Sequence, residues 1–244
     1  MIVIPTYNEK KNIVKLLSSI DKELKNEKGV SVLVADDSSP DGTAEVVKEL
    51  VASKKLHIRV KVLLKEEKTG LRDAYFNAFR HAIKEGRNLV GVIQMDADFS
   101  HDPKYLVSHI KNLRSGIDLS IGSRYVKAGG TENWSLSRRL LSKCGNNLNR
   151  IVLSRKIHDY TGGFNGLSIN ALRLAVSPGV VSCTGYYFLT EMKYRIIQSK
   201  LSISEFPIIF KDRTFGESKM GGAIVKEAVK QLFIIRFKKF RLPR

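Results

Sequence analysis

Two carboxylates one residue apart, Asp96 and Asp98, follow directly on the apolar run Val92-Ile93-Gln94-Met95. A loop leaving a strand end can turn both side chains toward one ion, and hard Mg²⁺ or Mn²⁺ favours carboxylate oxygen together with substrate phosphate. The same spacing also fits helix caps or solvated loop acids, because an isolated Asp-x-Asp is common. A second cluster, Asp36-Asp37-Ser38-Ser39-Pro40-Asp41-Gly42-Thr43, ends another apolar run. Its carboxylates suit base N–H groups or ribose hydroxyls, while Asp41, in front of Gly42, reads equally as a turn or cap residue. A third polar cluster, Thr6-Tyr7-Asn8-Glu9, follows Ile2-Val3-Ile4-Pro5.

The elements that must hold these clusters are five apolar, β-branched runs: Ile2 to Ile4, Val30 to Ala35, Ile58 to Leu64, Leu89 to Met95 and Ile117 to Ile121. Charged segments with helical spacing separate them, as in Ile13, Leu16, Leu17 and Ile20, or Val46, Val47 and Leu50. Alternating strands and amphipathic helices predict an α/β fold, with a mainly parallel central sheet flanked by helices. In such sheets ligands bind beyond the strands' carboxyl ends, which is where all three polar clusters fall.

A chain of 244 residues can bury one good core, so a single catalytic domain over residues 1–222 is expected, followed by a basic amphipathic helix or tail over 223–244. The net charge of +18 calls for an anionic partner: nucleotide phosphates, nucleic acid or an anionic membrane. Cys144 and Cys183 lack the spacing of a zinc site or disulfide framework, which points to a reducing compartment. The chain opens on a strand, with no charged and apolar leader, so a cytoplasmic location is expected. The longest uncharged stretch, Leu174 to Thr190, is short and broken by Pro178-Gly179 and Gly185, so no spanning helix is expected.

Taken together and in order, the three clusters resemble the family 2 nucleotide-diphospho-sugar glycosyltransferases. That resemblance implies the GT-A type fold and a bound Mg²⁺ or Mn²⁺. It makes Pro5, Tyr7, Glu9, Asp36 and Asp37 nucleoside contacts, and Asp96 and Asp98 metal and diphosphate residues. Further along, Gly122-Ser123-Arg124-Tyr125, Gly129-Gly130, Trp134, Arg138, Ser142 and Asp159-Tyr160-Thr161-Gly162-Gly163-Phe164 are similar to the polyprenol-phosphate and dolichol-phosphate mannosyltransferases. So are Gly185-Tyr186-Tyr187-Phe188, Glu191-Met192, Asp212-Arg213 and Gly216-Glu217-Ser218-Lys219-Met220, which extends the likeness over roughly residues 2 to 222.

The resemblance implies a GDP-mannose donor, a polyprenyl or dolichyl phosphate acceptor, and peripheral attachment to the cytoplasmic face of a membrane, through the tail or an anchoring partner subunit. Arg124, Arg138 and Ser142 become the acceptor-phosphate residues. Arginine offers a planar fork matched to phosphate oxygens, and Arg138 and Ser142, four apart in a helical stretch, share a face. The plain alternative is a solvated basic face, as adjacent Arg139 is read. Arg213 and Lys219 would close over a phosphate, with Gly216-Glu217-Ser218 as a lid between them. Three positions depart from the family pattern: Arg72 follows Gly70-Leu71 where a small residue is usual, Ser100 stands where Gln is frequent, and Leu189 replaces a further Gln.

With a phosphate nucleophile already ionised near neutral pH, its second pKa being about 6, no dedicated general base is needed. Asp98, Arg124 and Arg138 are then the residues expected to carry catalysis, by fixing the metal and aligning two anions. His101, close to the Asp pair but in no ligand pattern, is read as a polar surface residue. From Lys226 to Arg244, seven basic residues and the single acid Glu227 interleave with Val229, Leu232, Phe233, Ile235, Phe237 and Phe240. That composition suits an interfacial helix, or a terminal helix packed on the domain. Two other readings remain: transfer of glucose or another sugar from a UDP-sugar, and a non-catalytic nucleic-acid-binding protein. The second accounts for +18, but acids at three strand ends repel a phosphate backbone.

Overall fold

A computed structural model describes residues 1–86, 88–183, 185–212 and 222–238, the last segment with side chains from residue 229 onward. The expected β/α alternation is present: β1 (Ile2–Thr6), α1 (Lys10–Glu23), β2 (Ser31–Asp36), α2 (Thr43–Ala52), β3 (Arg59–Leu64), α3 (Leu71–Glu85), β4 (Gly91–Gln94), α4 (Leu106–Arg114) and β5 (Leu119–Ser123). Beyond it come β6 (Gly130–Glu132), α5 (Leu136–Val152), β7 (Asn165–Ser168), α6 (Ile169–Val176), α7 (Phe188–Gln198), β8 (Ile203–Pro207), β9 (Ile209–Lys211) and α8 (Gly222–Phe237).

Seven strands form one sheet in the order β3-β2-β1-β4-β7-β5-β8. All its pairings are parallel except those of β7, which runs against both β4 and β5. The carboxyl ends of β1, β2, β4 and β5 therefore share one edge. A separate parallel pair, β6 and β9, makes a small second sheet.

Period-two alternation sends successive strand residues to opposite faces. Ile2, Ile4, Val32 and Val34 pack with Ile13, Leu16, Leu17 and Ile20 of α1. Val3, Leu33, Val92 and Leu119 face the other way, toward Tyr75 and Phe79 of α3 and toward α6 and α7. Both faces are covered, which is why the strands read as continuous apolar runs. Leu232 and Ile235 of α8 join this second core, while Phe233, Ile234 and Phe237 of the same helix stay exposed. The tail's first half is thus a packed helix, and residues 239–244, including Phe240, lie outside the described residues.

Candidate active site

The three acidic clusters meet at the sheet edge because β1, β2 and β4 are neighbours. Each loop leaving these strands contains a non-glycine residue in the left-handed region: Asn8 (φ 62°), Ser38 (φ 60°) and Phe99 (φ 62°). Such backbone is sparsely populated and is held here by side-chain hydrogen bonds. Asn8 N–H donates to Ser39 Oγ, Glu9 N–H to Thr43 Oγ1, and Lys10 N–H to Asp41 Oδ2. Asp41 also accepts from the Thr43 N–H and hydroxyl, so it acts as a turn residue. Despite the cost of burial, these bonds lower its pKa.

Asp36 has no exposed surface. One oxygen accepts from Ser39 N–H and the other from the Thr6 and Ser39 hydroxyls. In this structure its carboxylate braces the turn. The cause is the register that places Asp36 inside β2, opposite Thr6. Asp37 is 4% exposed and is likewise turned inward, accepting from Thr69 N–H and, at 2.8 Å, from Gly70 N–H. Tyr7 is the aromatic group left open at this end, 39% exposed, with Lys68 Nζ 3.5 Å from its ring centroid. Pro5 precedes it as the penultimate residue of β1, and Glu9 accepts from Asn12 Nδ2. A base stacked on aromatic rings gains about 1–3 kcal/mol. Tyr7→Ala is therefore expected to weaken nucleoside diphosphate binding by roughly tenfold, measured by calorimetry, with the melting temperature unchanged.

At the end of β4, Asp96 presents both oxygens. Tyr75 Oη lies 3.4 Å from Oδ1, and His101 Nε2 lies 3.8 Å from Oδ2. Burial first, then the charge of Asp96, pushes the Tyr75 hydroxyl well above its ordinary pKa, so it remains a donor. Asp98 Oδ1 accepts from Ser100 N–H at 3.0 Å, which turns its carboxylate back over the loop. The Ser100 hydroxyl is buried and has no hydrogen-bond partner. Among the described residues no three His, Cys, Asp or Glu side chains cluster around a metal position. Two carboxylates and an unmatched hydroxyl nevertheless fit a divalent ion that keeps waters and takes substrate phosphate oxygens as further ligands.

His101 overturns its reading as a surface residue. It is 1% exposed, accepts the Asp96 N–H at Nδ1, and stacks on Phe164 with centroids 4.6 Å apart. Burial lowers its pKa, so it is a neutral ring whose Nε2 carries the proton. The turn at Phe99 folds it inward, which sequence spacing does not register. Gly163 lies alongside, where a Cβ would sit in ordinary van der Waals contact with His101 Cε1 at 3.5 Å and Asp96 Oδ2 at 3.7 Å.

Arg124, just past β5, is buried. Nε and Nη2 grip the two oxygens of Asp159 at 2.8 Å each, and Nη2 also donates to Thr161 Oγ1. Burial opposes charge on both partners. The attraction of Arg124 still holds the Asp159 carboxyl well below the usual carboxylate range, and Asp159 raises the pKa of Arg124. Lys193 on α7, fully buried, donates to the carbonyls of Asp159 and Gly162, and desolvation lowers its pKa to about 8. The Asp159-to-Gly163 loop is thereby pinned beneath the Asp pair.

Arg138, on the first turn of α5, donates through Nη1 to both oxygens of Asp212, and its guanidinium lies 4.0 Å from the Trp134 ring centroid. Ser142, one turn on and 9% exposed, accepts from Tyr125 Oη at 2.7 Å. Arg139, read as solvated, lines with Lys143 and Arg124 a cavity of about 300 Å³. Of the three departures, Arg72 pairs with Asp73 and Leu189 is buried in the core. Arg213, Lys219 and the Gly216-Glu217-Ser218 stretch lie outside the described residues. Sequence reasoning missed Tyr75, Lys193, Phe210 and the inward face of His101. The one available signal was a lysine, Lys193, in a run with apolar neighbours.

Residues 1–174 match the Glycosyl transferase family 2. The chain belongs to that family. It is a glycosyltransferase with the GT-A fold. It is 35% identical to a polyprenol monophosphomannose synthase of Mycolicibacterium smegmatis, over 94% of this chain and 83% of that one. An undecaprenyl-phosphate mannosyltransferase of Micrococcus luteus is 37% identical, over 93% and 89%. A dolichol-phosphate mannosyltransferase of Pyrococcus furiosus is also 37% identical, covering 95% of this chain and 62% of that one. Among solved structures, the glucosyl-3-phosphoglycerate synthase of Mycobacterium tuberculosis in complex with Mn²⁺ and UDP superposes with a TM-score of 0.61. That match is at 16% identity, covers 96% and 77% of the two chains, and shows the shared fold.

Proposed function

We propose that this glycosyltransferase moves mannose from GDP-mannose onto the phosphate of a polyprenol-type lipid, with inversion at the anomeric carbon. The observation carrying the reading is the 35–37% identity, over more than nine-tenths of the chain, to three proteins named for mannosyl transfer to such lipids. The geometry supports it: paired carboxylates at the end of β4 suit a nucleotide diphosphate, and Arg138 on α5 suits a second phosphate.

In this reading an acceptor phosphate oxygen bonds to the anomeric carbon as the bond to the GDP oxygen breaks, and the electron pair leaves with GDP. Asp96 and Asp98, with the Ser100 hydroxyl, would hold a Mg²⁺ or Mn²⁺ whose charge stabilises the departing diphosphate. Tyr7, Pro5 and Glu9 line the nucleoside end, while Asp36 and Asp37 serve it by holding the turns. Arg138 and Ser142 meet the acceptor phosphate, and Arg124 holds the loop beside it. Arg213 and Lys219 belong to the same phosphate-binding set in this assignment. Incubation with radiolabelled GDP-mannose, a polyprenyl phosphate and Mg²⁺ or Mn²⁺ should move label into the organic phase. Label appearing there only from UDP-glucose would replace the donor assignment.

Among the described residues no helix is long and apolar enough to cross a membrane. The surface offers a docking face instead. Leu136 (82% exposed), Leu140 and Ile151 project from α5, and Phe233 and Phe237 (78% exposed) from α8, which packs beside it. A helix apolar on both sides needs a second cover, and Lys and Arg around it favour an anionic lipid surface. Burying a Phe side chain gains about 1.5–3 kcal/mol, so Phe233→Ser with Phe237→Ser is expected to weaken vesicle binding at least about a hundredfold. Sedimentation with phosphatidylglycerol vesicles reads this directly, and unchanged binding would remove α8 from the membrane contact.

A further inference from the structure

We propose that His101, Phe210 and Trp134 form a rigid aromatic spacer that sets the position of the acceptor arginine, Arg138, relative to the metal-binding carboxylate, Asp96. The inference rests on the site roles assigned above and adds three positioning residues to them. None of the three is a candidate ligand of donor or acceptor.

The contacts are continuous. Asp96 N–H donates to His101 Nδ1 at 3.0 Å, so the ring is anchored to the backbone of the metal-binding residue itself. His101 and Phe210 meet edge to face, with centroids 5.5 Å apart and planes at 77°. Phe210 meets Trp134 in the same edge-to-face way, again at 5.5 Å and 77°. Trp134 carries the Arg138 guanidinium 4.0 Å from its ring centroid. Asp212, two residues past Phe210 and just beyond β9, grips Arg138 from the other side through both oxygens.

The need for a spacer follows from the topology. Asp96 leaves the seven-stranded sheet, whereas Phe210 belongs to the β6–β9 pair, with Asp212 just beyond it, and among the described residues that pair forms a sheet of its own. Aromatic packing has fixed geometry and low side-chain freedom, so stacked rings hold a spacing that flexible ion pairs at the rim do not. His101 cannot tilt freely, because Phe164 stacks on its face with planes at 10°. A sub-ångström change at Asp96 on filling the donor site is therefore transmitted to Trp134 by contact, since packed rings cannot compress.

The test uses the full chain and its sole tryptophan, Trp134, as reporter. Saturating GDP with Mg²⁺ should change the tryptophan emission. Phe210→Leu should reduce that change at least about fivefold while GDP affinity, measured by calorimetry, stays within about twofold, because Phe210 is not among the nucleotide contacts assigned above. Phe210→Tyr should restore the response. His101→Asn, which keeps an acceptor for the Asp96 N–H but removes the ring, should lose it as well, and supplies a second variant if Phe210→Leu folds poorly. In turnover, Phe210→Leu should raise the acceptor KM by about tenfold and leave the donor KM unchanged. An emission change undiminished in both variants, or one that falls only in step with GDP affinity, overturns the spacer. If the emission pattern holds but no mannose is transferred, the substrate assignment fails and the spacer stands. Normal transfer with no emission response in the unaltered chain has the opposite meaning.

Discussion

Asp98→Ala is expected to lower kcat/KM for sugar transfer by about a thousandfold while leaving the fold intact. A divalent ion contributes several kcal/mol to stabilising charge on a leaving diphosphate, and each 1.36 kcal/mol is about tenfold in rate. The Asp98 side chain is half-buried at a loop and accepts a hydrogen bond from Ser100 N–H. Losing that bond costs about 1 kcal/mol of stability. The melting temperature should therefore move by only a few degrees, and circular dichroism should be unchanged. Mg²⁺-dependent GDP binding, measured by calorimetry, should be lost together with activity. An active Asp98→Ala protein would remove the carboxylate pair from the reaction.

Asp159→Asn should have the largest effect on stability. Its carboxylate has no exposed surface, and it is the counter-charge of buried Arg124, with Lys193 on the far side of the same loop. Removing one partner of a buried pair leaves an uncompensated charge and costs about 3–5 kcal/mol. For a chain of this size that is a fall in melting temperature of roughly 10 °C. The pH dependence gives a second readout. Asp159 has a folded pKa below its ordinary 3.8, so its contribution is fully present above that value and is lost as pH falls below it. Acid unfolding of the unaltered protein should show this loss, and the Asn variant, already without it, should be flatter over the same range. Equal melting temperatures for the two proteins would mean that Arg124 finds another partner, and the loop would have to be re-read.

The strands that carry the acids were legible because β1, β2 and β4 are buried on both faces and appear as unbroken apolar runs. Their ends came out within a few residues of Ile2–Thr6, Ser31–Asp36 and Gly91–Gln94. β6 and β9 were not, since three residues such as Gly130–Glu132 or Ile209–Lys211 carry no periodicity. Phe210 looked like one more apolar residue, and nothing local marks it as the neighbour of His101 and Trp134.

The order of polar clusters, the pairing of Asp96 with Asp98 and the family itself were determined by the sequence, because residue type and spacing along a strand end fix which groups a loop can present. What only the tertiary structure decided is where each group points. Asp36, Asp37 and His101 turn inward, Arg124 is committed to Asp159, and Arg138 rests on Trp134. Those outcomes depend on contacts between residues far apart in the chain, and on the cost of burying a charge or an unmatched polar group. That cost is set by the neighbours folding brings together, and no window of sequence contains them.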